Sequence, residues 1–332
     1  MYKIFLPHLR RLMNKSEIML TLVDLGSRGG IVHLAELAER VDAYGFEPNP
    51  EQLESILSGK FGKLPTYHSI NYSPFAVHSK CGLHTFYVTR HAGASGMLEL
   101  DLERLREIKY RGPTEWTSPN FGDACFTIEK TLTVETTTLG RFCEEKNLDW
   151  IDFLKIDVEG SEYECLLGAG DFLRSISVIE VEVCFIPFRK GQKLMSDVDV
   201  LLRPYGFDLL TYRIRGDSVG YKERCFPADW GAFMGLRDRF GQPLSGDAIY
   251  VNRNVTSEKL LRAQAVMLIS EGYLDEGLFI LKNKCDLRGS HQQLLNLLQN
   301  YQGGLVVSLA RTALNLVYRV ASSVRRLLRQ LL

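Results

Sequence analysis

The sequence predicts an α/β fold with a mostly parallel sheet of about seven strands and helices on both faces. Three observations support this prediction: short apolar runs alternate with helical patterns, the first two runs each end in an acidic residue, and a glycine-rich turn follows the first run. Alternation of this kind is typical of parallel sheets with right-handed crossovers. The 332 residues are 45% hydrophobic and 24% charged, which is typical of a globular protein and excludes a disordered one.

The first part of the sheet consists of two strand-helix units. The first strand, Met19–Asp24, precedes the glycine turn and a helical pattern over Ile31–Arg40, in which apolar residues recur at helical spacing. The second strand, Val41–Phe46, ends at Glu47. Pro48-Asn49-Pro50 opens the next helix, because proline is favoured at helix starts.

The remaining elements continue the alternation, with one interruption. Further strands are expected near Thr66–Ile70, Leu83–Thr89, Ile151–Ile156, Val178–Val183, Phe207–Tyr212 and Ala248–Asn252, and helices at Met97–Tyr110 and Val198–Leu202. Gly168 is expected to end the helix after Asp157, because glycine commonly terminates helices. Residues 90–123 break the rhythm with a long loop. Long loops in compact domains are usually lids or binding loops, so we expect an insertion beside the ligand site.

The chain divides into three predicted parts. Residues 1–18 form a basic segment, residues 19–254 the α/β domain, and residues 255–332 a helical appendage. The helical patterns of the appendage cover Glu258–Ser270, Leu274–Lys282, Gln292–Leu298 and Leu305–Leu332. The seven cysteines form no C-x-x-C pair, no run of 18 apolar residues is present, and the start lacks a signal-peptide core. A cytoplasmic protein is expected.

Positive charge is concentrated at the two ends of the chain. Residues 304–332 contain five arginines and no acidic residue, and residues 1–15 contain four basic residues and no acidic one. Because the formal charge of the whole chain is zero, residues 16–303 carry −9. A body of this sign is not expected to bind nucleic acid, since neutralising phosphates requires a basic surface.

Residues 305–332 are predicted to form a basic amphipathic helix. At 100° per residue the five arginines fall within about 120° of arc, opposite a cluster of apolar residues. These arginines are Arg311, Arg319, Arg325, Arg326 and Arg329. Such a helix packs on the protein body, on a second subunit or on an anionic membrane surface. The lack of any acidic residue favours the membrane, so peripheral attachment to the cytoplasmic membrane face is expected, while the oligomeric state stays open.

The turn after the first strand reads Asp24-Leu25-Gly26-Ser27-Arg28-Gly29-Gly30. In nucleotide-binding folds the ligand lies here, beyond the carboxyl end of the strand. Arg28 stands where a dinucleotide motif has its second glycine, and a pyrophosphate needs bare backbone at that point. Glu47 follows Asp24 by 23 residues, where a carboxylate can accept hydrogen bonds from ribose hydroxyls. Adenosine without a pyrophosphate fits both observations, and S-adenosylmethionine is such a ligand.

A second motif, Ile151–Glu164, combines an apolar strand with several charged residues. Lys155 and Asp157 lie two residues apart and share a face, and such buried charges are tolerated when they are paired. We expect them to contact each other or the ligand. Asp157 and Glu159 follow the strand beside the ligand crevice, where a general base must lie, and Glu182 ends the neighbouring apolar run.

Together these motifs resemble one protein family. VDLGSRGG, GFEPNP and DFLKIDVEGSEYECLLGA are similar to the FkbM family of S-adenosylmethionine-dependent methyltransferases, with KIDVEGSE as the most specific signature, and the resemblance runs from about Leu20 to Arg253. It implies a class I methyltransferase fold, which is Rossmann-like, and methyl transfer to oxygen, commonly a hydroxyl of a sugar or of a polyketide-like product. It implies the cofactor-binding set Asp24, Gly26, Ser27, Gly30, Glu47 and Pro48, with Asp157 and Glu159 on the acceptor side.

The chain departs from the family pattern in three places. Ser27-Arg28 replaces the usual Ala-Asn, and Gly140 stands where an aspartate is common. Arg28 then either reaches the methionine carboxylate or lies on the surface. Residues 255–332 lie outside the common domain.

The expected reaction determines what the site must contain. A hydroxyl is barely ionised at neutral pH, so it needs an in-line position and a base. Asp157 is the first candidate base, Glu159 and Glu182 are the next, and His91 begins the insertion on the acceptor side. A carboxylate cluster at strand ends also offers ligands for a divalent metal, and the sequence leaves both alternatives open. The expected acceptor is a small molecule or glycan, such as a sugar of a glycan or glycolipid.

Two other functions stay open at the level of the sequence, because a fold alone does not fix a function. A nicotinamide-dependent oxidoreductase is disfavoured by the missing middle glycine. A non-catalytic adapter would use a degenerate methyltransferase fold and the helical tail for binding partners. Binding of S-adenosylmethionine compared with NAD distinguishes the three, because an adapter should bind neither.

Overall fold

A computed structural model describes residues 18–110, 126–214, 218–221 and 242–285. The strands are β1 Leu20–Leu25, β2 Val41–Phe46, β3 Ser69–Ser73, β4 Ala76–Val77, β5 Gly82–Thr89, β6 Ile108–Tyr110, β7 Ile128–Thr137, β8 Ile151–Ile156, β9 Ile176–Cys184, β10 Phe207–Ile214, β11 Ser218–Tyr221, β12 Gln242–Pro243 and β13 Ser245–Asn252. The α-helices are α1 Pro50–Leu57, α2 Leu102–Glu107, α3 Leu139–Glu145, α4 Glu162–Ala169, α5 Met195–Leu202, α6 Glu258–Ser270 and α7 Leu274–Lys284. Short 3₁₀ helices cover Ala35–Arg40, Ala92–Ala94, Gly170–Ser175 and Arg203–Tyr205.

Seven strands form the central sheet in the order β10-β13-β9-β8-β1-β2-β3. The five strands from β9 to β3 pair in parallel, whereas β13 is antiparallel to both β9 and β10. Strand β1 lies between β2 and β8, where the order of the strands reverses. In open α/β sheets this switch point is where ligands bind, at the carboxyl ends of the strands. The predicted α/β class with a mostly parallel seven-stranded sheet is confirmed.

The two faces of the sheet belong to different hydrophobic clusters. Alternation along β8 sends Phe153 into the cluster that contains α6, while Leu154 joins the opposite cluster with α3 and α4. Both side chains are fully buried. Helices therefore cover both faces, as a doubly wound sheet requires.

Helices α6 and α7 lie close to where the sequence predicts them. Helix α6 has the predicted bounds, and α7 extends two residues past the predicted Lys282. Residues 263–270 of α6 are buried, and the helix shares one hydrophobic cluster with β1, β8 and β9. Gly277 lets α7 approach α6 closely, since a Cβ there would lie 2.7 Å from the Ala265 carbonyl oxygen. The predicted division at residue 254 stays a prediction, and the helices predicted at 292–298 and 305–332 lie outside the described residues.

The helix predicted over Ile31–Arg40 is wrong in its first turn. Only Ala35–Arg40 is helical, as a 3₁₀ helix, and Leu34 before it has a left-handed φ of 55°. Side chains from elsewhere bind the backbone of residues 31–34, so these residues do not form helical hydrogen bonds.

Two further helix predictions need correction. Of the predicted Met97–Tyr110, only Leu102–Glu107 is helical, because Ile108–Tyr110 pairs with β11 as a strand. Helix α4 continues through Gly168 and is capped by Gly170, which has a positive φ of 54°.

Strand β7 was not predicted. It pairs with β4 and β5 in a separate three-stranded sheet. Most of its side chains are exposed or half-buried, and Leu132 and Val134 alternate with polar residues along its second half, as in a half-buried strand. Among the described residues, no helix is long and apolar enough to cross a membrane.

Candidate active site

A pocket of about 270 Å³ lies where β1, β2 and β8 end. Its walls include Gly26 and Arg28 after β1, Glu47 and Pro48 after β2, and Asp157 and Glu159 after β8. Its volume is close to the lower end of the range for small-molecule sites. The fold thus brings both sequence motifs to one pocket.

Glu47 is buried on the wall of this pocket. The backbone N–H of Asn49 donates to its Oε1 at 2.8 Å, and the N–H of Glu47 donates to the Ser73 carbonyl at 3.1 Å. Burial raises the pKa of Glu47 to about 7, although the Asn49 N–H and the charge of Arg28 lower it. A carboxyl group in this position gains from further hydrogen-bond donors, because they favour its ionised form.

Gly26 allows the two motifs to touch through their backbones. It has a φ of +89°, and a Cβ there would lie 1.9 Å from the carbonyl oxygen of Asp157. The Asp157 N–H donates to the Leu25 carbonyl at 3.0 Å. Because a side chain at this position would collide with backbone, glycine is required here.

Three predicted cofactor residues, Asp24, Ser27 and Gly30, are not among those lining the pocket. Ser27 Oγ donates to the Asp24 carbonyl at 2.8 Å and accepts from the Phe46 N–H at 3.0 Å, which ties the glycine turn to β2. Gly30 packs so closely on Leu64 that a Cβ would lie 2.4 Å from a methyl carbon. Ser27 and Gly30 hold the turn in place, and a direct role for Asp24, Ser27 or Gly30 in binding the cofactor stays a prediction.

Asp24 and Asp157 both interact with a buried lysine. Lys155 Nζ lies 3.0 Å from Asp157 Oδ2, which is the pairing that their shared strand face predicts. Burial lowers the pKa of Lys155, but the charges of Asp157 and Asp24 outweigh it, so the pKa is raised and the ammonium stays charged. Asp24 is the neighbour of Lys155 in the sheet, and burial raises the pKa of Asp24 to about 6 while Lys155 lowers it. Lys155 therefore connects the two motifs and holds one oxygen of Asp157.

Asp157, Glu159 and Glu182 form one carboxylate cluster. One oxygen of each lies within 4.8 Å of the others. The structure therefore brings together the three residues predicted as candidate bases. Such a cluster can accept protons or ligate a cation.

Arg189, which the sequence analysis missed, lies fully buried behind this cluster. Its guanidinium donates to the Ala94 carbonyl at 2.8 Å and to the Leu98 carbonyl at 3.4 Å, and lies 3.3 Å from Glu159 Oε2. It thereby holds residues 94–98 of the predicted insertion against the end of β8. No sequence signal could reveal this role, because the contacts span 30 to 95 residues of chain.

The most specific sequence motif, KIDVEGSE, contains a loop whose backbone is held by a glutamate of the motif. Glu162 Oε1, at the start of α4, accepts from the N–H of Val158 at 3.1 Å and of Gly160 at 2.9 Å. Glu159 between them has a left-handed φ of +60°. Glu162 thus fixes the loop that carries Glu159, a role that its place in the sequence did not predict.

The start of the predicted insertion lines the pocket. His91, Ser95 and Met97 are on its wall, together with Ala92 and Gly93. A Cβ on Gly96 would lie 2.7 Å from the Glu159 carbonyl oxygen, so this segment packs directly on the β8 loop. Residues 111–123 of the insertion lie outside the described residues.

The sequence of the chain matches a known protein family. The sequence model of the methyltransferase FkbM domain matches residues 30–209, which is more than half of the chain. The chain belongs to the FkbM methyltransferase family. It is therefore an S-adenosylmethionine-dependent methyltransferase. A comparison with curated proteins gives no match.

Several solved methyltransferase structures resemble this FkbM protein. A methyltransferase FkbM from Methylobacillus flagellatus KT is 13% identical, with a TM-score of 0.36 over 70% of this chain and 43% of that one. Magnesium protoporphyrin IX methyltransferase from Synechocystis PCC 6803 is 9% identical, with a TM-score of 0.34 over 76% and 77% of the two chains. Residues 961–1257 of StiE, an O-methyltransferase, are 10% identical, with a TM-score of 0.32 over 81% and 80%. The chain thus spans less than half the length of the Methylobacillus protein.

The pocket of this FkbM protein fits the cofactor of its family. Glu47 offers a buried carboxylate with a raised pKa to ribose hydroxyls, and Arg28 offers a guanidinium on the same wall to a carboxylate. Gly26 lines the same pocket and adds no side chain to it. These three features suit an adenosine ligand that carries an amino acid group.

Proposed function

We propose that this FkbM methyltransferase transfers the methyl group to a hydroxyl oxygen, and that the hydroxyl belongs to a sugar of a glycan or glycolipid. One observation supports this proposal: Asp157 and Glu159 of the carboxylate cluster line the same pocket as Glu47. Glu47 and Asp157 follow strands on either side of β1. Their strands are therefore about two strand spacings, roughly 10 Å, apart.

Different residues of the pocket have different roles in the reaction. S-Adenosylmethionine supplies an electrophilic methyl group when bound. Glu47 accepts hydrogen bonds from the ribose, and Arg28 binds the methionine carboxylate. Asp157 accepts the proton that the acceptor hydroxyl loses as its oxygen forms the new carbon–oxygen bond. Lys155 holds Asp157 through Oδ2, so the carboxylate does not need to reorient during the reaction.

The test of this mechanism is Asp157→Asn, which keeps the shape of the side chain and removes its basicity. We expect turnover to fall by about 100-fold or more, as is typical for loss of a general base. Binding of S-adenosylmethionine, measured by calorimetry, should change by less than about threefold, because the role concerns the transition state. Glu182→Gln is the matched control, because Glu182 belongs to the same cluster.

Two outcomes would contradict the mechanism. Asp157 is not the base if Asp157→Asn keeps its turnover, or if only Glu182→Gln loses turnover.

The sugar acceptor is tested by methyl transfer from labelled donor to a panel of free and lipid-linked sugars. Transfer to amines alone would reject the hydroxyl acceptor.

A metal-dependent variant of the mechanism is less well supported. Lys155 and Arg189 already bring positive charge to Asp157 and Glu159, so the cluster does not need a cation to balance these charges. We therefore expect turnover to survive treatment with a strong chelator. Loss of turnover that Mg²⁺ or Mn²⁺ restores would instead favour metal assistance by the three carboxylates.

Attachment to a membrane surface would suit a lipid-linked acceptor. Residues 305–332, which lie outside the described residues, carry the five arginines and the apolar residues of the predicted amphipathic helix. Basic residues near an anionic leaflet contribute roughly 1 kcal/mol each. We expect the full chain to co-sediment with anionic vesicles at low salt, and a variant with all five arginines changed to glutamine to stay in solution. Equal binding of both proteins, or of neither, would reject this attachment.

A further inference from the structure

Residues Ile31–Leu34 connect the glycine turn to the first 3₁₀ helix, and their backbone is held by side chains from distant parts of the chain. The Ile31 N–H donates to Tyr72 Oη at 3.2 Å, and Tyr67 Oη donates to the His33 carbonyl at 2.7 Å. These two tyrosines hold the segment from the side of β3. The third contact comes from outside the matched FkbM domain.

Glu271 supplies this third contact. Its Oε1 accepts from the Leu34 N–H at 2.9 Å, and its Oε2 lies 3.8 Å from His33 Nδ1. Leu34 has a left-handed φ of 55°, which is uncommon for a residue with a side chain. Such a conformation persists where the surroundings hold it in place. The hydrogen bond that Glu271 accepts from Leu34 stabilises this strained residue directly.

Glu271 itself is fixed by the helix that it ends. It is the C-cap of α6, and its N–H donates to the Met267 carbonyl at 2.9 Å. Helix α6 is buried against the sheet, so the carboxylate stands on a rigid element. The side chain is 22% exposed. A rigid, largely buried acceptor can define the position of a loop.

His33 strengthens the same contact. Its ring stacks on Phe153 of β8 at 5.4 Å between centroids. Burial lowers the pKa of His33, but the Glu271 carboxylate and the charges of Glu180 and Asp24 outweigh it, so the pKa is raised. The pKa of Glu271 is lowered, because the contact with His33 outweighs its burial. The two partners therefore favour the charged pair.

We infer that Glu271 is a positioning residue of the cofactor site. By binding Leu34 it fixes the far end of the segment that begins at Gly26 and Arg28 on the pocket wall. The helical pair α6–α7 then serves donor binding, although it lies beyond the matched FkbM domain at residues 30–209. This inference rests on S-adenosylmethionine as the donor and is independent of the acceptor.

The test compares three variants of the full chain by calorimetric titration with S-adenosylmethionine, without any acceptor. Glu271→Ala removes both contacts and should raise the dissociation constant at least fivefold. Glu271→Gln keeps an oxygen for the Leu34 N–H and should stay within about twofold of the wild type. Glu276→Ala is the matched control, because Glu276 ion-pairs with Arg253 from the same helical pair without touching residues 31–34. It should lower the melting temperature and leave donor binding within about twofold.

Three results would overturn the inference. The first is donor binding by Glu271→Ala that is as tight as that of the wild type. The second is weakening of donor binding by Glu276→Ala as large as that by Glu271→Ala, since that would indicate general loosening of the helices. Equal weakening by Glu271→Gln would show that the hydrogen bond to Leu34 is not what matters. If Glu271→Ala does not fold, Glu271→Asp replaces it, because its carboxylate is one methylene shorter. Failure of the wild type to bind the donor would instead overturn the cofactor assignment itself.

Discussion

Glu47 and Lys155 show how burial acts in opposite directions on residues of one site. Burial raises the pKa of Glu47 to about 7, because few charges near it compensate for the lost water. Burial also disfavours the charge of Lys155, but Asp157 and Asp24 more than compensate, and its pKa is raised. Hydrogen-bond donors of a ligand can therefore stabilise the ionised form of Glu47, whereas carboxylates of the protein already stabilise the charge of Lys155.

The raised pKa of Glu47 makes donor binding depend on pH. Ribose hydroxyls favour the ionised carboxylate, so binding should lower this pKa and release a proton near and below pH 7. We expect the affinity for S-adenosylmethionine to fall about tenfold from pH 8 to pH 6, because most of Glu47 is then protonated in the free protein. Calorimetry in buffers of different ionisation enthalpy measures both quantities.

The variant Glu47→Gln isolates this effect from other buried acids. Burial also raises the pKa of Asp24 to about 6 and that of Asp152 to about 7. The variant should bind more weakly at pH 8 and lose most of the pH dependence. The folding stability of the free protein depends on pH in the opposite direction from donor binding. The stability that neutral Glu47 contributes is present below pH 4.5 and is lost as the pH rises to about 7. An unchanged pH profile in Glu47→Gln would remove Glu47 from the ribose site.

Individual site residues were predictable where the sequence constrains them locally. Alternation along β8 predicts the pairing of Lys155 with Asp157, and the spacing from Asp24 predicts Glu47. Arg189 and Glu271 were not predictable, because their partners lie far away in the chain. Physical contact between such residues depends on the completed fold.

At the scale of the elements, the site depends on how closely the loops after β1 and β8 approach. Gly26 and Gly29 belong to the same turn and have nearly equal φ angles of +89° and +88°. A Cβ on Gly26 would collide with the Asp157 carbonyl, whereas a Cβ on Gly29 would meet nothing within 4 Å. A comparison of the two glycines therefore separates the effect of backbone strain, which both positions share, from the effect of a collision, which occurs only at Gly26.

Replacing each glycine by alanine tests this contact. Gly29→Ala should cost about 1–2 kcal/mol of the free energy of unfolding, which is the cost of a left-handed residue with a side chain. Gly26→Ala should cost roughly 3–5 kcal/mol, because overpacking adds to the same strain. It should also abolish donor binding. Urea denaturation and calorimetry measure the two effects, and equal costs for both variants would contradict the close approach.

The elements of the central sheet were largely predictable because they are buried and apolar. Strands β2 and β8 have the predicted bounds. The helix expected from Ile31 fails in its first turn because Tyr67, Tyr72 and Glu271 compete for its backbone. The mostly exposed strand β7 was not predicted, although Leu132 and Val134 alternate with polar residues along its second half.

At the scale of the whole molecule, the hydrophobic core extends past the matched FkbM domain. That domain ends at residue 209, within β10, while β13 and α6 complete the sheet and cover one of its faces. The sequence predicted these elements, but it could not show that Glu271 after α6 reaches the segment beside the cofactor pocket. The predicted acceptor and the role of the basic terminus depend on partners that the chain alone does not specify.

The central claim is that one pocket of this chain binds S-adenosylmethionine through Glu47. The most direct test is calorimetric titration of the full-length wild type with S-adenosylmethionine and with NAD, together with the same titrations of Glu47→Ala. The wild type should bind S-adenosylmethionine and not NAD. The variant should bind it more than tenfold more weakly, since each hydrogen bond to a charged group is worth roughly 1.5–3 kcal/mol. Binding of NAD alone, of neither ligand, or of S-adenosylmethionine with equal affinity by both proteins would contradict the account.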